Sequence, residues 1–173
     1  AALNVPSYWT VATDGGVFAF GGAPFLGSAG GKPLVAPIVS MASTPNHGGY
    51  WLVASDGGVF SFGNANFFGS MGGQHLNRPI VGMPSSVTVH GYWLVASDYG
   101  LFPFGDAHFY GSTGGQPLGA PITAVTRTTS GHGYWVVGQN GDVYPFGDAV
   151  YYGSMGGFHL NLPVVTAAAS RHS

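Results

Sequence analysis

The sequence predicts an all-β fold, specifically a four-bladed β-propeller made of four 42-residue repeats. Three observations predict it: a Tyr-Trp pair at constant spacing, turn signals between short apolar runs, and two chain ends that complement each other. Successive Tyr-Trp pairs lie 42 residues apart with no insertion, at Tyr8, Tyr50, Tyr92 and Tyr134. A period of this length is typical of a propeller blade. We therefore assign one domain to residues 1–173, with repeats at 8–49, 50–91, 92–133 and 134–173.

Each repeat divides into short predicted strands separated by tight turns. Each blade has four of them, for example a proline-led strand at residues 79–83, then strands at 92–97 and 101–104 and an outer strand at 108–112. The turn before the third strand is Asp-Gly-Gly in the first two repeats, and these residues tolerate the positive φ that a tight hairpin requires. Two departures stand out, because Tyr99 replaces a turn glycine and Asn140 replaces the turn aspartate. The 31 glycines and the absence of helix caps predict essentially no α-helix.

The two ends of the chain predict how the ring closes. No proline-led apolar run precedes the first Tyr-Trp pair, whereas Pro163–Ala167 is such a run with no Tyr-Trp pair after it. Pairing Pro163–Ala167 with the blade that begins at residues 8–13 would complete that blade and remove an open sheet edge. The alternative is that two chains join into an eight-bladed ring.

The second repeat, YWLVASDGGVFSFGNANFFGSMGG, resembles a tandem repeat of secreted actinobacterial proteins, where it occurs beside cell-wall hydrolase or peptidase domains. The resemblance extends from Tyr8 to about Ala168. It implies a secreted or cell-surface location and a binding or scaffolding role. It brings no catalytic residues with it.

Composition excludes several classes of function. Charged residues make up only 6% of the chain, and the four strong bases are scattered: Lys32, Arg78, Arg127 and Arg171. Binding to a phosphate backbone needs clustered Lys and Arg, so no nucleic-acid partner is expected. No apolar run reaches the roughly 20 residues of a membrane span, so no membrane insertion is expected. The chain contains no cysteine, which excludes disulfides and thiol chemistry.

Aromatic residues are the candidate ligand contacts. Each predicted outer strand carries two adjacent large residues, of which alternation sends one inward and one outward. The candidate ligand-binding residues are Tyr110, Tyr152, Phe68, Asn66 and His108. The four Trp residues offer a second set of stacking surfaces, but packing in an inner strand explains them as well.

Neither a catalytic nor a metal site is expected. The six acids are all aspartates, mostly in equivalent turns, and they form no evident carboxylate pair for glycoside hydrolysis. One turn aspartate per repeat is too few for the six to eight oxygen ligands of Ca²⁺. The histidines show no metal-binding spacing, and we expect no cofactor.

The sequence thus predicts a non-catalytic, multivalent binding module, lectin-like, for carbohydrate or cell-wall glycan. Four linked weak sites gain avidity without tight individual contacts. The alternative is a structural or assembly module without a small-molecule ligand, because low charge with 45% hydrophobic residues also suits burial against partners. Self-association is the expected contact in that case.

Overall fold

The computed structural model describes residues 6–114 and 119–170, and all regular structure in these ranges is β-strand. The eleven strands are β1 (Tyr8–Val11), β2 (Val17–Phe20), β3 (Ile38–Ser43), β4 (Gly49–Ala54), β5 (Val59–Gly63), β6 (Ile80–Gly82), β7 (Gly91–Ala96), β8 (Leu101–Gly105), β9 (Ile122–Arg127), β10 (Gly133–Gly138) and β11 (Val143–Gly147). Within the described ranges there is accordingly no helix of the length and apolarity that a membrane crossing requires. The predicted all-β class is confirmed.

The strands form four small antiparallel sheets, one for each repeat. β1 and β2 form a two-stranded sheet, and the other three sheets have three strands each, in the orders β3-β4-β5, β6-β7-β8 and β9-β10-β11. Every Tyr-Trp pair lies in the same strand of its sheet, β1, β4, β7 or β10. This strand is central in the three-stranded sheets, and β4 and β7 are buried along their whole length.

The turn that follows the Tyr-Trp strand of each sheet agrees with the sequence prediction. Asp14 Oδ1 accepts a hydrogen bond from the Gly16 amide at 2.9 Å, and Asp56 and Gly58 repeat this contact at 2.9 Å. Gly57 lies at φ 81°, in the left-handed region that favours glycine. A Cβ there would lie 2.5 Å from Cβ of Met71, so both the backbone and the space require glycine.

The predicted fourth, outer strand is wrong: residues 108–112 and their equivalents belong to no strand. In the first three repeats, backbone groups of this segment bond instead to a tyrosine of the following sheet. The Tyr92 hydroxyl donates to the Gly69 carbonyl at 2.6 Å and accepts from the Phe68 amide at 3.2 Å. This one side chain therefore gives two backbone groups of the outer segment a hydrogen-bond partner.

The same tyrosine fixes how consecutive sheets pack. Tyr50 reaches the Gly27 carbonyl at 2.5 Å, and Tyr134 reaches the Gly111 carbonyl at 2.6 Å. All three of these tyrosine side chains are almost fully buried. Burial of a large apolar side chain contributes on the order of 1.5–3 kcal/mol. The three sheet-to-sheet interfaces are therefore copies of one another, like the repeats that form them.

The segments that lead into the sheets surround a common central cavity. One part of it, about 360 Å³ in volume, is lined by four equivalent segments that include Val39–Met41, Val81–Met83, Thr123–Val125 and Val165–Ala167. The first three belong to β3, β6 and β9, whereas the fourth is the C-terminal segment. Residues 165–167 thus occupy, around this cavity, the position that an inner strand occupies in the other three repeats.

The C-terminal segment makes only part of the predicted pairing. The Val164 amide donates to the Gln139 carbonyl at 2.9 Å, which repeats the bond from Ile38 to Thr13 in the first two sheets. Among the described residues, however, no backbone hydrogen bond joins this segment to β1, which pairs only with β2. The predicted pairing of Pro163–Ala167 with Tyr8–Thr13 is therefore not formed.

Consecutive sheets form three interfaces, but in the described part of the chain the fourth repeat and the first sheet form none, and this leaves two apolar faces uncovered. Tyr8 and Phe20 in the first sheet are 60% and 45% exposed, although their equivalents Tyr50 and Phe62 pack against the preceding repeat. Tyr152 in the fourth repeat is 84% exposed for the matching reason, since no sheet follows it. Trp135, Val143 and Tyr152 line a shallow cavity of about 270 Å³ next to the C-terminal segment.

Candidate functional site

One aromatic ring in every repeat points outward into solvent. The four side chains are between 54% and 62% exposed and occupy equivalent positions: Phe25, Phe67, Phe109 and Tyr151. Each is the outward member of the adjacent pair in the outer segment, as alternation along an extended chain requires. We call these four residues the aromatic row.

The inward members include the aromatic residues favoured by sequence reasoning. Phe68 is half-buried and meets the Tyr92 ring edge-on at a centroid distance of 5.8 Å. Tyr110 lies 5.9 Å from Tyr134, and its hydroxyl donates to the Gly131 carbonyl at 3.2 Å. Both rings therefore help to hold consecutive sheets together. Only Tyr152, at the uncovered end, presents its whole ring.

The polar candidates Asn66 and His108 lie at equivalent positions, one residue before Phe67 and Phe109. Their carbonyl oxygens accept hydrogen bonds from the indole Nε1 of Trp51 and Trp93, both at 2.7 Å. These bonds fix the backbone, whereas the two side chains are exposed. The buried Trp thus positions the residue that can meet a ligand.

Asn66 lines a groove between the second and third sheets, with a volume of about 280 Å³. The other lining residues come from the loop before β4, from the segment after β5 and from the loop before β7: Thr44, Pro45, Asn46, Asn64, Val89 and His90. No aspartate, lysine or arginine lines this groove. We call it the amide groove because three asparagines contribute to its wall.

Thr44 organises the amide groove. Its hydroxyl is bonded to Asn46 Oδ1 at 2.8 Å and to the Asn64 carboxamide at 3.1 Å, and it accepts from the Gly49 amide at 2.9 Å. The Gly48 amide also donates to Asn46 Oδ1, at 3.1 Å, so the oxygen of Asn46 is engaged and its NH₂ group is left to donate to a ligand. Because the Thr44 hydroxyl has a single hydrogen, it donates to Asn46, and Asn64 then bonds to it through the NH₂ group. The groove therefore suits an uncharged molecule with many oxygen acceptors.

The equivalent loops of the next two sheets have a similar hydrogen-bond pattern, but an aspartate takes the place of Asn64. Ser86, Thr88 and Asp106 take the places of Thr44, Asn46 and Asn64, and the Thr88 hydroxyl donates to Asp106. In the fourth repeat Asp148 accepts from Thr128 at 2.9 Å and from Ser130. The Ser130 hydroxyl lowers the pKa of Asp148, with smaller contributions from Thr128 and from the charge of His132.

The Trp residues divide according to their position in the chain. Trp51 and Trp93 are buried and pack edge-on against Tyr92 and Tyr134, at 5.7 and 5.9 Å. Their faces are closed to a ligand, so packing is their role here. Trp9 and Trp135 are half-buried because they border the uncovered ends.

Sequence reasoning missed the two loops that complete the amide groove. Residues 44–46 and 89–90 lie between strands and vary from repeat to repeat, which is the signal that could have identified them. Within the described ranges, no three His, Asp, Glu or Cys side chains come together in a way that could hold a metal ion.

The chain matches no protein-family model and no curated protein. The assignment of a function therefore depends on the chemistry of the aromatic row and of the amide groove.

Proposed function

We propose that this chain is a non-catalytic, multivalent carbohydrate-binding module, lectin-like in mode, that acts at a cell surface or cell wall. The observation that carries this proposal is the aromatic row, one exposed ring in each repeat at an equivalent position. The amide groove beside Asn66 supplies uncharged hydrogen-bond donors next to one of these rings. Sugars present both an apolar C–H face and many hydroxyl oxygens, so both features suit them.

The repeat spacing supports multivalency. A single open groove of about 280 Å³ is near the small end of ligand sites and is expected to bind weakly. The four rings of the aromatic row lie on one chain, and repeated weak contacts of this kind convert later binding events into intramolecular ones, which raises avidity by roughly 10²–10⁴-fold when the ligand is polymeric. A polysaccharide is a ligand of this kind.

A closed four-bladed ring is part of the same proposal. The four segments around the central cavity and the bond from Val164 to Gln139 support it. The two uncovered faces also have the residues of a sheet-to-sheet interface. Tyr8 and Phe20 correspond to Tyr50 and Phe62, and Tyr152 corresponds to Leu26, which packs with that pair in the first interface. Closure would bring the Tyr8 hydroxyl to the Gly153 carbonyl and would pair Pro163–Ala167 with Tyr8–Thr13, a pairing that the described residues do not form. Docking of these faces between two chains is the alternative arrangement.

The proposed location is extracytoplasmic. The resemblance of the YWLVASDGGVF repeat to secreted actinobacterial proteins supports it, and so does a role on glycan surfaces. The partner is then a cell-wall or surface glycan presented in many copies.

Binding of the purified chain to a glycan array, followed by calorimetry with a glycan that binds, tests the function. We expect Phe67→Ala and Asn66→Ala to weaken binding, because they remove a stacking face and a donor. Phe158→Ala is the matched control, since Phe158 is also exposed, at 67%, but lies outside the aromatic row. An array without signal, or binding that Phe67→Ala and Asn66→Ala leave unchanged, contradicts the proposal.

A structural or assembly module is the second candidate, favoured by the two uncovered apolar faces and by the low charge. In that case the aromatic row is a protein contact surface. Light scattering together with the glycan array distinguishes the two candidates. An assembly module forms larger particles as its concentration rises and gives no sugar-specific signal on the array. A monomer that binds glycan excludes it.

A further inference from the structure

The central cavity has a mouth on the side of the loops before β4, β7 and β10. This part has a volume of about 570 Å³, which is within the range of small-ligand sites. Four equivalent segments line it, one from each of β3, β6, β9 and the C-terminal segment, with residues that include Ser43, Ser85, Arg127 and Ala169. These four residues occupy the same position in the repeat.

Arg127 breaks the repeat at that position. The residues at the other three equivalent positions, Ser43, Ser85 and Ala169, are small and uncharged, whereas Arg127 is large and cationic. No aspartate lines this mouth, although the chain has six. Among residues 6–114 and 119–170, the guanidinium makes one hydrogen bond, from Nη1 to the Thr128 carbonyl at 3.3 Å. Most of its five N–H donors are thus left for a ligand.

The surroundings of Arg127 favour an anion with hydroxyl neighbours. Ser43, Ser85 and Thr129 supply hydroxyl groups to the same mouth. Arg127 is half-buried at the end of β9, where a charge pair is screened less by water than at an open surface. A guanidinium binds a carboxylate through two parallel hydrogen bonds, and the hydroxyl groups beside it suit the hydroxyls of an acidic sugar.

We infer that the mouth of the central cavity binds the carboxylate of an acidic sugar, such as a uronic acid, through Arg127. This inference rests on the proposed glycan-binding function and specifies its ligand class. The hydroxyl-lined wall takes the sugar hydroxyls, and the guanidinium takes the carboxylate. Specificity then comes from Arg127, the charged residue among the four equivalent positions, whereas the aromatic row supplies contacts common to all repeats.

Calorimetric titration with tri-galacturonate and with a neutral galactose trimer tests this inference. We expect the acidic trimer to bind at least about 10-fold more tightly, as one charge-assisted contact provides. Arg127→Ser, which introduces the residue found at positions 43 and 85, should remove the difference. Arg78→Ser is the matched control, because Arg78 is an exposed cation outside the mouth. Equal affinity for the two trimers, or an unchanged preference in Arg127→Ser, overturns the inference.

Two further measurements separate the possible failures. Arg127→Lys keeps the charge and the fold but loses the planar fork, so a drop in preference without a change in the thermal midpoint supports direct contact. If both trimers bind equally in all variants, this inference fails and the glycan-binding function stands. If neither trimer binds but a peptide C-terminal carboxylate does so through Arg127, the sugar assignment fails together with the proposed function.

Discussion

At the scale of single residues, neighbours in the chain have opposite roles. In the first three outer segments one large side chain packs between sheets and its neighbour faces solvent, as with Phe68 and Phe67. The buried Trp51 holds the backbone at this point, through its bond to Asn66. The residues that hold the fold and those proposed to bind a ligand are therefore different residues that lie close together, and substitutions can separate the two roles.

Trp51→Ala should be a folding mutation and Phe67→Ala a surface mutation. Trp51 is fully buried and its indole nitrogen is bonded, so truncation should lower the free energy of unfolding by on the order of 3–5 kcal/mol. Phe67→Ala should cost under about 1 kcal/mol. Urea denaturation midpoints measure both changes. If Trp51→Ala keeps its midpoint but loses glycan binding, the inner strand contains the ligand site instead.

Alkaline pH should destabilise the protein through its buried tyrosines. Burial raises the pKa of Tyr134 to about 12, although its hydrogen bonds to Tyr110 and Gly111 oppose this shift. In the unfolded chain this tyrosine ionises at its ordinary pKa of about 10, so the free energy of unfolding falls as the pH rises from 10 to about 12.

Tyr134→Phe should make that fall less steep, because the variant has one fewer hydroxyl that ionises only on unfolding. Tyr151→Phe is the control, since Tyr151 is exposed. Urea midpoints measured from pH 8 to pH 11 give the slope. Identical slopes for wild type and Tyr134→Phe would rule out this tyrosine as a source of the alkaline loss.

At the scale of elements, the turn between β7 and β8 shows how a repeat tolerates an exception. Tyr99 adopts φ 71° where the equivalent turn positions have glycine. Its ring packs edge-on against Tyr144 at 5.5 Å, and its hydroxyl donates to the Ala120 carbonyl at 2.6 Å. The left-handed backbone costs roughly 1–2 kcal/mol, and burial of the ring offsets that cost.

Tyr99→Gly should therefore destabilise the protein, although it restores the residue of the other turns. We expect a loss of about 1–3 kcal/mol, because the lost ring contacts outweigh the strain relieved. Gly57→Ala is the complementary change, and it should also destabilise, since its Cβ would lie 2.5 Å from Cβ of Met71. Thermal midpoints compare the two variants with wild type. A more stable Tyr99→Gly protein would show that strain dominates at this turn.

At the scale of the whole molecule, three interfaces are formed and the parts of a fourth are present. The C-terminal segment already lines the central cavity beside β3, β6 and β9, while β1 keeps an open edge. An open strand edge is prone to pair with other strands, so closure or association is expected to cover it. The choice between one chain and two decides whether the binding sites form one rigid ring.

The double variant Thr10→Cys/Ala167→Cys should form a disulfide within one chain. In the formed sheets the equivalent residues are direct partners, Met41 with Leu52 and Val125 with Val136. Directly opposed residues have Cα atoms about 4.5–5.5 Å apart, which suits a disulfide. The chain has no other cysteine to interfere.

Non-reducing electrophoresis with mass measurement gives the result, with each single variant as a control. A cross-linked monomer with a raised denaturation midpoint supports the closed ring. Cross-linked dimers would show that the faces dock between chains, and free thiols after oxidation would show that the two segments do not pair.

The sequence by itself determined what repeats. Period, turn chemistry and strand positions are local properties, and identical local sequences such as YWLVAS in two repeats fold alike, so the all-β class and the four sheets were predictable. Only the tertiary structure decided which member of each aromatic pair packs, because that depends on the Tyr of the next sheet. The outer segments form no strand, although their local sequence predicts one, and their contacts include side-chain hydrogen bonds from the Tyr-Trp strands, such as that from Trp51 to Asn66. The amide groove and the Arg127 mouth were likewise out of reach, because each is assembled from segments about one repeat apart that meet only when the sheets pack.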